Sequence, residues 1–164
     1  VVTNVLQRIA RRIQLSREVY SINLSVSSLG DEDFPGFVQQ QCLRYNVPAH
    51  CLCFEIAEAH IVTHMSQASR FTRSLKQIGC AIAIDNFGSS LTGLNHIKHL
   101  PLDYLKVDSQ LIAAATQDDT SRLILASIKT VAKSVETQAA LETIRATGLD
   151  YVQGYAISPP QALD

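Results

Sequence analysis

Three hard oxygen donors, Asn23, Glu55 and Asp85, each follow a short apolar stretch: Val19–Ile22, Leu52–Phe54 and Cys80–Ile84. Stretches this short, bounded by glycine or polar turns, read as strands, and the Cys80–Ile84 run as one buried on both faces. Amide and carboxylate oxygens brought to successive strand ends suit a small hard dication, Mg²⁺ or Mn²⁺, rather than zinc. Lys106 follows the next apolar pair, Tyr104-Leu105, and could hold a phosphate or an activated water. Singly, each acid reads equally well as a solvated loop residue or helix cap. On consecutive strand–helix units the four together describe a site.

The elements that would position them recur in order. Val1 to roughly Gln14 has apolar residues at helical spacing, with Arg8, Arg11 and Arg12 for the other face. A helix is predicted from about Phe34 to Tyr45, with Asp31, Glu32 and Asp33 at its positive end and Pro48 beyond it. Another spans about Ser66 to Ile78 and stops at Gly79. Further helices are expected at Leu94–Leu100, Ser121–Ser127 and Gln138–Thr147, with strands at Thr130–Val135 and Tyr151-Val152. Six strands thus end at Asn23, Glu55, Asp85, Lys106, the Lys133–Glu136 region and Gln153. Their spacing of roughly 20 to 32 residues is that of βα units in a TIM-type (β/α)8 barrel, where chemistry sits at the strand C-termini. Only about six units are readable where a closed barrel needs eight. The direct join of helix to strand at Ser127-Ile128-Lys129 suggests a further missing segment near 127–128.

The 164 residues are 46% hydrophobic and 18% charged, with a net charge of −1, which predicts one globular domain, 1–164, with a substantial core. The near-neutral balance gives no support for DNA binding, and no basic run suggests direct contact with a membrane surface. No apolar stretch is long enough to span a membrane, and the first residues do not resemble a signal peptide. Cys42, Cys51, Cys53 and Cys80 lack metal or redox spacing and read as buried, reduced thiols of a cytoplasmic domain, with Cys51 and Cys53 on one side of a strand.

The ordered motifs N-L-S (Asn23–Ser25), E-I-A-E (Glu55–Glu58), D-N-F-G (Asp85–Gly88), K-V-D (Lys106–Asp108), V-E-T (Val135–Thr137) and Q-G-Y (Gln153–Tyr155) resemble the EAL domain. This is the bacterial phosphodiesterase module for cyclic di-GMP, and the resemblance runs from Val1 to about Pro159. It implies a modified TIM-type barrel in which two metal ions activate water against a phosphodiester, giving linear pGpG. It further implies that Asn23, Glu55 and Asp85 bind the first metal and that Lys106 helps place the water. Glu58 would anchor the loop after the Asp85 strand, Gln153 would lie near the site floor, and Glu136 would be the second acid of the family's E-G-V-E motif.

The departures from the family pattern decide the expected function. Asn86 stands where the family has a second aspartate, removing an anion from the second-metal position. Lys133 stands where the family places its general base; an ammonium cannot accept a proton and repels a metal. The N-terminal part carrying the E-A-L motif has no counterpart in the chain. Loss of a general base alone costs about 10²- to 10⁴-fold. The chain therefore reads as a degenerate EAL domain that binds cyclic di-GMP through Asn23, Lys106, Lys133 and Gln153 without efficient hydrolysis. Mg²⁺ or Mn²⁺ is expected to be weak or absent. As a receptor it would signal through a homodimer or a partner protein, within a larger membrane-anchored or multidomain protein. The alternatives are a protein–protein module that has lost the ligand, and a slow metal-dependent phosphodiesterase.

Other candidates carry less. His60 and His64, four apart, could share a helix face but lack the glutamate of an H-E-x-x-H site. His96 and His99, in the helix expected before Pro101, read as surface residues or partner contacts. Ser89, Ser90 and Thr92 lie in the loop after Asp85, with Ser90 at a position where the family has glycine.

Overall fold

The computed structural model describes residues 2–10, 18–88, 100–107, 130–132, 150–153 and 157. Its sheet has six strands: β1 (Tyr20–Asn23), β2 (Leu52–Ala57), β3 (Ala81–Phe87), β4 (Tyr104–Val107), β5 (Thr130–Ala132) and β6 (Tyr151–Val152). They lie in sequence order and every pairing is parallel. This is the predicted α/β architecture.

The register divides the sheet into two unlike faces. Ile22, Leu52, Phe54, Ile56, Ile82, Ile84, Leu105 and Val107 share the outer face and are buried under the helices. The helices among the described residues are α1 (Val2–Ile9), α2 (Val26–Leu29), α3 (Phe34–Tyr45), α4 (Glu58–Thr63) and α5 (Met65–Ile78). Phe34 of α3 anchors this layer, meeting Phe54 edge-on at 5.9 Å and Phe71 of α5 at 5.6 Å. α1 contributes Val2, Leu6 and Ile9, so its apolar stripe is the one the sequence indicated; residues 11–17 lie outside the described part.

Two helices end by the same device. Asn46 is left-handed (φ 53°) after α3, and the Val47 N–H donates to the Cys42 carbonyl at 2.9 Å. Gly79 is left-handed (φ 100°) after α5, and Cys80 N–H donates to the Leu75 carbonyl at 3.1 Å. These are Schellman closures that satisfy the last carbonyls and turn the chain into the next strand. Asn46, rather than Pro48, therefore stops α3.

The structure departs from the sequence reading elsewhere too. A 3-10 turn at Ala49–Cys51 puts Cys51 outside the strand that holds Cys53. His60 lies in α4, but His64 (φ −129°, ψ 42°) is the break between α4 and α5, so the two do not form a helical pair. Strands β2 and β3 continue past the points where polar residues were expected to end them. Parallel ladder hydrogen bonds are indifferent to side-chain polarity, and the acids simply face inward. The expected helices at Leu94–Leu100, Ser121–Ser127 and Gln138–Thr147 fall outside the described residues, apart from Leu100, which is buried.

Candidate functional site

The inner face of the sheet collects the polar residues. Asn23 stands directly opposite Glu55. Glu55 is opposite Ala83, and Asp85 is opposite Ala57, one pleat repeat further along. Ala83 is opposite Tyr104, which puts Lys106 on the same face, and Lys106 is opposite Val131. Val131 is opposite Tyr151, so Gln153, two residues on, completes the arc. Adjacent strands are about 4.8 Å apart. The four candidates from β1 to β4 therefore fall within a few strand spacings on one surface.

Lys106 is the hub of this surface. Its Nζ lies 2.5 Å from Glu55 Oε1 and donates to Gln153 Oε1 at 2.9 Å. Both members of the ion pair are buried, Glu55 at 4% exposure and Lys106 at 7%. Two buried opposite charges in contact avoid the large desolvation penalty that either would meet alone.

Strand β3 carries a bulge at this site. Ile84 pairs with Leu105 but Phe87 pairs with Val107, so β3 holds one residue more than β4 across that interval. The irregularity spans Asp85 and Asn86, and Asn86 is left-handed (φ 56°), a conformation that asparagine tolerates better than most residues. Bulges re-aim side chains and are frequent beside active sites. Here Asp85 stays on the inner face while Phe87 is buried (1% exposure). The chain then turns through Gly88 (φ 93°), whose N–H donates to Glu58 Oε2 at 3.2 Å. Glu58 opens α4 and is itself 1% exposed, so a buried carboxylate after β2 grips the turn after β3.

Below the polar rim is an open cavity of about 470 Å³, lined by Ser21, Cys53, Ala83, Tyr104, Lys106 and Gln153 among others. Tyr104 and Tyr151 meet edge-to-face at 5.8 Å on its wall. Cys53 is pushed up to about 12, first by burial and then by the neighbouring Glu55 carboxylate, so its thiol is neutral and unreactive. All four cysteines are free and buried.

The structure thus brings together Glu55, Lys106 and Gln153 by direct contact, and Asn23 and Asp85 by register. Asn86 is exposed on the bulge beside them. Lys133, Glu136, Ser89, Ser90, Thr92, His96 and His99 lie outside the described residues. Sequence reasoning missed Ser21, Cys53, Tyr104 and Tyr151, although each stands two residues before a candidate and so shares its face.

Asn23, Glu55 and Asp85 are the side chains that would hold a divalent cation. Their donors are all oxygen, and Glu55 Oε1 is a buried carboxylate oxygen that now faces the Lys106 ammonium, a position that fits a hard cation. Among the described residues no three His, Cys, Asp or Glu side chains form a metal cluster, so two carboxylates and an amide are the set on offer. Lys106 holds the central one of these.

A sequence profile described as the EAL domain matches residues 1–160. The chain is 33% identical over 152 aligned positions to the cyclic di-GMP phosphodiesterase PdeB of Shewanella oneidensis, spanning 87% of this chain and 18% of that protein. It is also 33% identical to the cyclic di-GMP phosphodiesterase PdeF of Escherichia coli, over 99% of this chain and 23% of that protein. The chain therefore spans only about a fifth of the length of these relatives. Among solved structures, the FimX EAL domain from Pseudomonas aeruginosa bound to c-di-GMP superposes with a TM-score of 0.85 at 26% identity, covering 99% of this chain and 69% of that one. The EAL domain of Mycobacterium smegmatis DcpA gives 0.84 at 26% identity, covering 99% and 78%.

Proposed function

Because the chain belongs to the EAL domain family, we propose that it binds cyclic di-GMP along the inner face of its sheet without hydrolysing it efficiently, and that occupancy is the signal. The observation that carries this reading is the Lys106 side chain, which lines the cavity and can meet a phosphate there. Lys106 presents a buried ammonium at the cavity wall, and Lys133 follows directly after β5 in the sequence, where the family has its general base. Asn86 adds an amide rather than an anion beside Asp85. A phosphodiester is attracted to such a surface, while abstraction of a proton from water lacks its base. A divalent ion held there would supply Lewis-acid activation of water. The chain's own residues supply phosphate contacts (Lys106, Lys133) and orientation (Asn23, Gln153).

The cyclic di-GMP bound to the similar FimX domain supports the choice of ligand. Output through a homodimer or a partner protein, from a cytoplasmic position within a longer protein, belongs to the same proposal. No helix among the described residues is long and apolar enough to cross a membrane. The retained oxygens of Asn23, Glu55 and Asp85 favour a second reading, a slow metal-dependent phosphodiesterase. Isothermal titration with cyclic di-GMP, followed by chromatography of the mixture with Mg²⁺ or Mn²⁺, separates them. Binding with intact ligand supports the receptor; pGpG that disappears in Glu55→Ala supports the slow enzyme. Absence of binding at micromolar ligand overturns both in favour of a protein–protein module.

A further inference from the structure

We infer that Lys106 is the built-in counter-ion of the metal position: a divalent cation and the Lys106 ammonium compete for the Glu55 carboxylate, and a phosphodiester tips that competition towards the metal by taking the ammonium for itself. The second half rests on the proposed binding of cyclic di-GMP; the first half does not. Glu55 is nearly completely buried and Lys106 Nζ sits against its Oε1. A dication approaching the same oxygen meets a positive charge already in contact with it, and like charges at such distances repel strongly in a buried site. The ammonium must therefore move off as the dication arrives.

Its present surroundings offer a poor alternative. Beyond Glu55 it donates a hydrogen bond to Gln153 Oε1, a neutral acceptor at 2.9 Å. An ammonium left with this acceptor alone bears an uncompensated burial cost. A phosphate oxygen in the adjoining cavity supplies the missing anion, because Lys106 lines that cavity as well as touching Glu55. Lys106 then works as a two-position side chain, on Glu55 in the empty site and on phosphate in the liganded one. By linkage, whatever the ligand adds to metal affinity the metal adds to ligand affinity.

The test is Mn²⁺ binding followed by electron paramagnetic resonance on the full chain, with Mn²⁺ alone and with saturating cyclic di-GMP. The unaltered protein is expected to bind Mn²⁺ about tenfold more tightly with the ligand than without, within the usual range of such couplings. Lys106→Met is expected to bind Mn²⁺ tightly without ligand and to gain little from adding it. Equal Mn²⁺ affinity in Lys106→Met and the unaltered protein, or coupling that persists in Lys106→Met, overturns the inference; the latter outcome assigns the coupling to direct phosphate–metal contact. Should cyclic di-GMP not bind at all, the proposed ligand falls, and the comparison of the two proteins with Mn²⁺ alone still decides the competition. If Lys106→Met does not fold, the Lys106 ¹⁵Nζ resonance of the unaltered protein, titrated with Mg²⁺, gives the answer. Movement away from its Glu55-paired shift supports the exchange, and an unmoved signal at saturating Mg²⁺ overturns it.

Discussion

The Gly88 N–H donates to Glu58 Oε2 at 3.2 Å, which ties the turn after β3 to the first residue of α4. The acceptor is 1% exposed, so water does not replace it if it is removed. Glu58→Ala should therefore lower stability by about 1–3 kcal/mol. It should also increase hydrogen exchange at Gly88 and weaken ligand or metal binding through the adjoining Asp85. Thermal melts and amide exchange measured on one sample check both parts. Unchanged exchange at Gly88 would show that the turn is held by something else.

The Glu55–Lys106 pair predicts strong non-additivity. Removing either partner strands a buried charge, so Glu55→Gln and Lys106→Met should each destabilise, by up to about 3–5 kcal/mol for a full loss. The double variant leaves no charge to strand and should lose markedly less than the sum. Urea denaturation of all four proteins completes the cycle, and additive losses would mean that the pair does not interact in solution.

At Asn86 the backbone, as well as the side chain, limits what can be substituted. With φ at 56°, Asn86→Ala should cost about 1–2 kcal/mol, and Asn86→Val more, since a β-branched residue is strained further there. Asn86→Gly should be close to neutral. Asn86→Asp keeps a residue that accepts this conformation and adds an anion, so it should fold normally and raise Mn²⁺ affinity. Melting temperatures and Mn²⁺ titrations of the four variants test the series.

The buried thiols set an alkaline limit. Burial raises both Cys53 and Cys80 from 9.0 to about 12. Above pH 9 the unfolded chain releases these protons while the folded chain keeps them, so stability falls as pH rises between about 9 and 12. Below that window these thiols impose no pH dependence. Each thiol makes unfolding about tenfold more favourable per pH unit there. Cys53→Ala should flatten the alkaline limb of a stability–pH curve, and the native protein should resist iodoacetamide at pH 8 until it is unfolded.

Much of this arrangement was legible in the sequence. The apolar runs ending at Asn23, Glu55, Asp85 and Lys106 fixed four strands and their order, because short runs punctuated by glycine and polar residues leave few other interpretations. Pairing of Lys106 with Glu55 was not legible. It depends on register across two intervening strand spacings, which no local pattern encodes. The bulge was hidden for a similar reason: D-N-F-G reads as a loop, and only the ladder to β4 shows that Phe87 has rejoined the sheet. Tyr104 and Tyr151 escaped notice because aromatic residues in strands look like core until the two faces are told apart. His64 looked helical because a one-residue break leaves the spacing of its neighbours nearly intact.

The extra residue in β3 works as a phase change. A strictly alternating strand would send Asp85 and Phe87 to the same side, obliging either a ring to enter the polar chamber or a carboxylate to enter the oily layer. With the bulge, hydrophilic and greasy neighbours each reach their own side within a single strand. Point changes at this spot keep the bulge, whereas deleting Asn86 would let Phe87 follow Asp85 in plain alternation, both on their present sides, and would straighten the strand there. What the extra residue adds to the D-N-F-G segment is a local bend and twist that set the aim of Asp85.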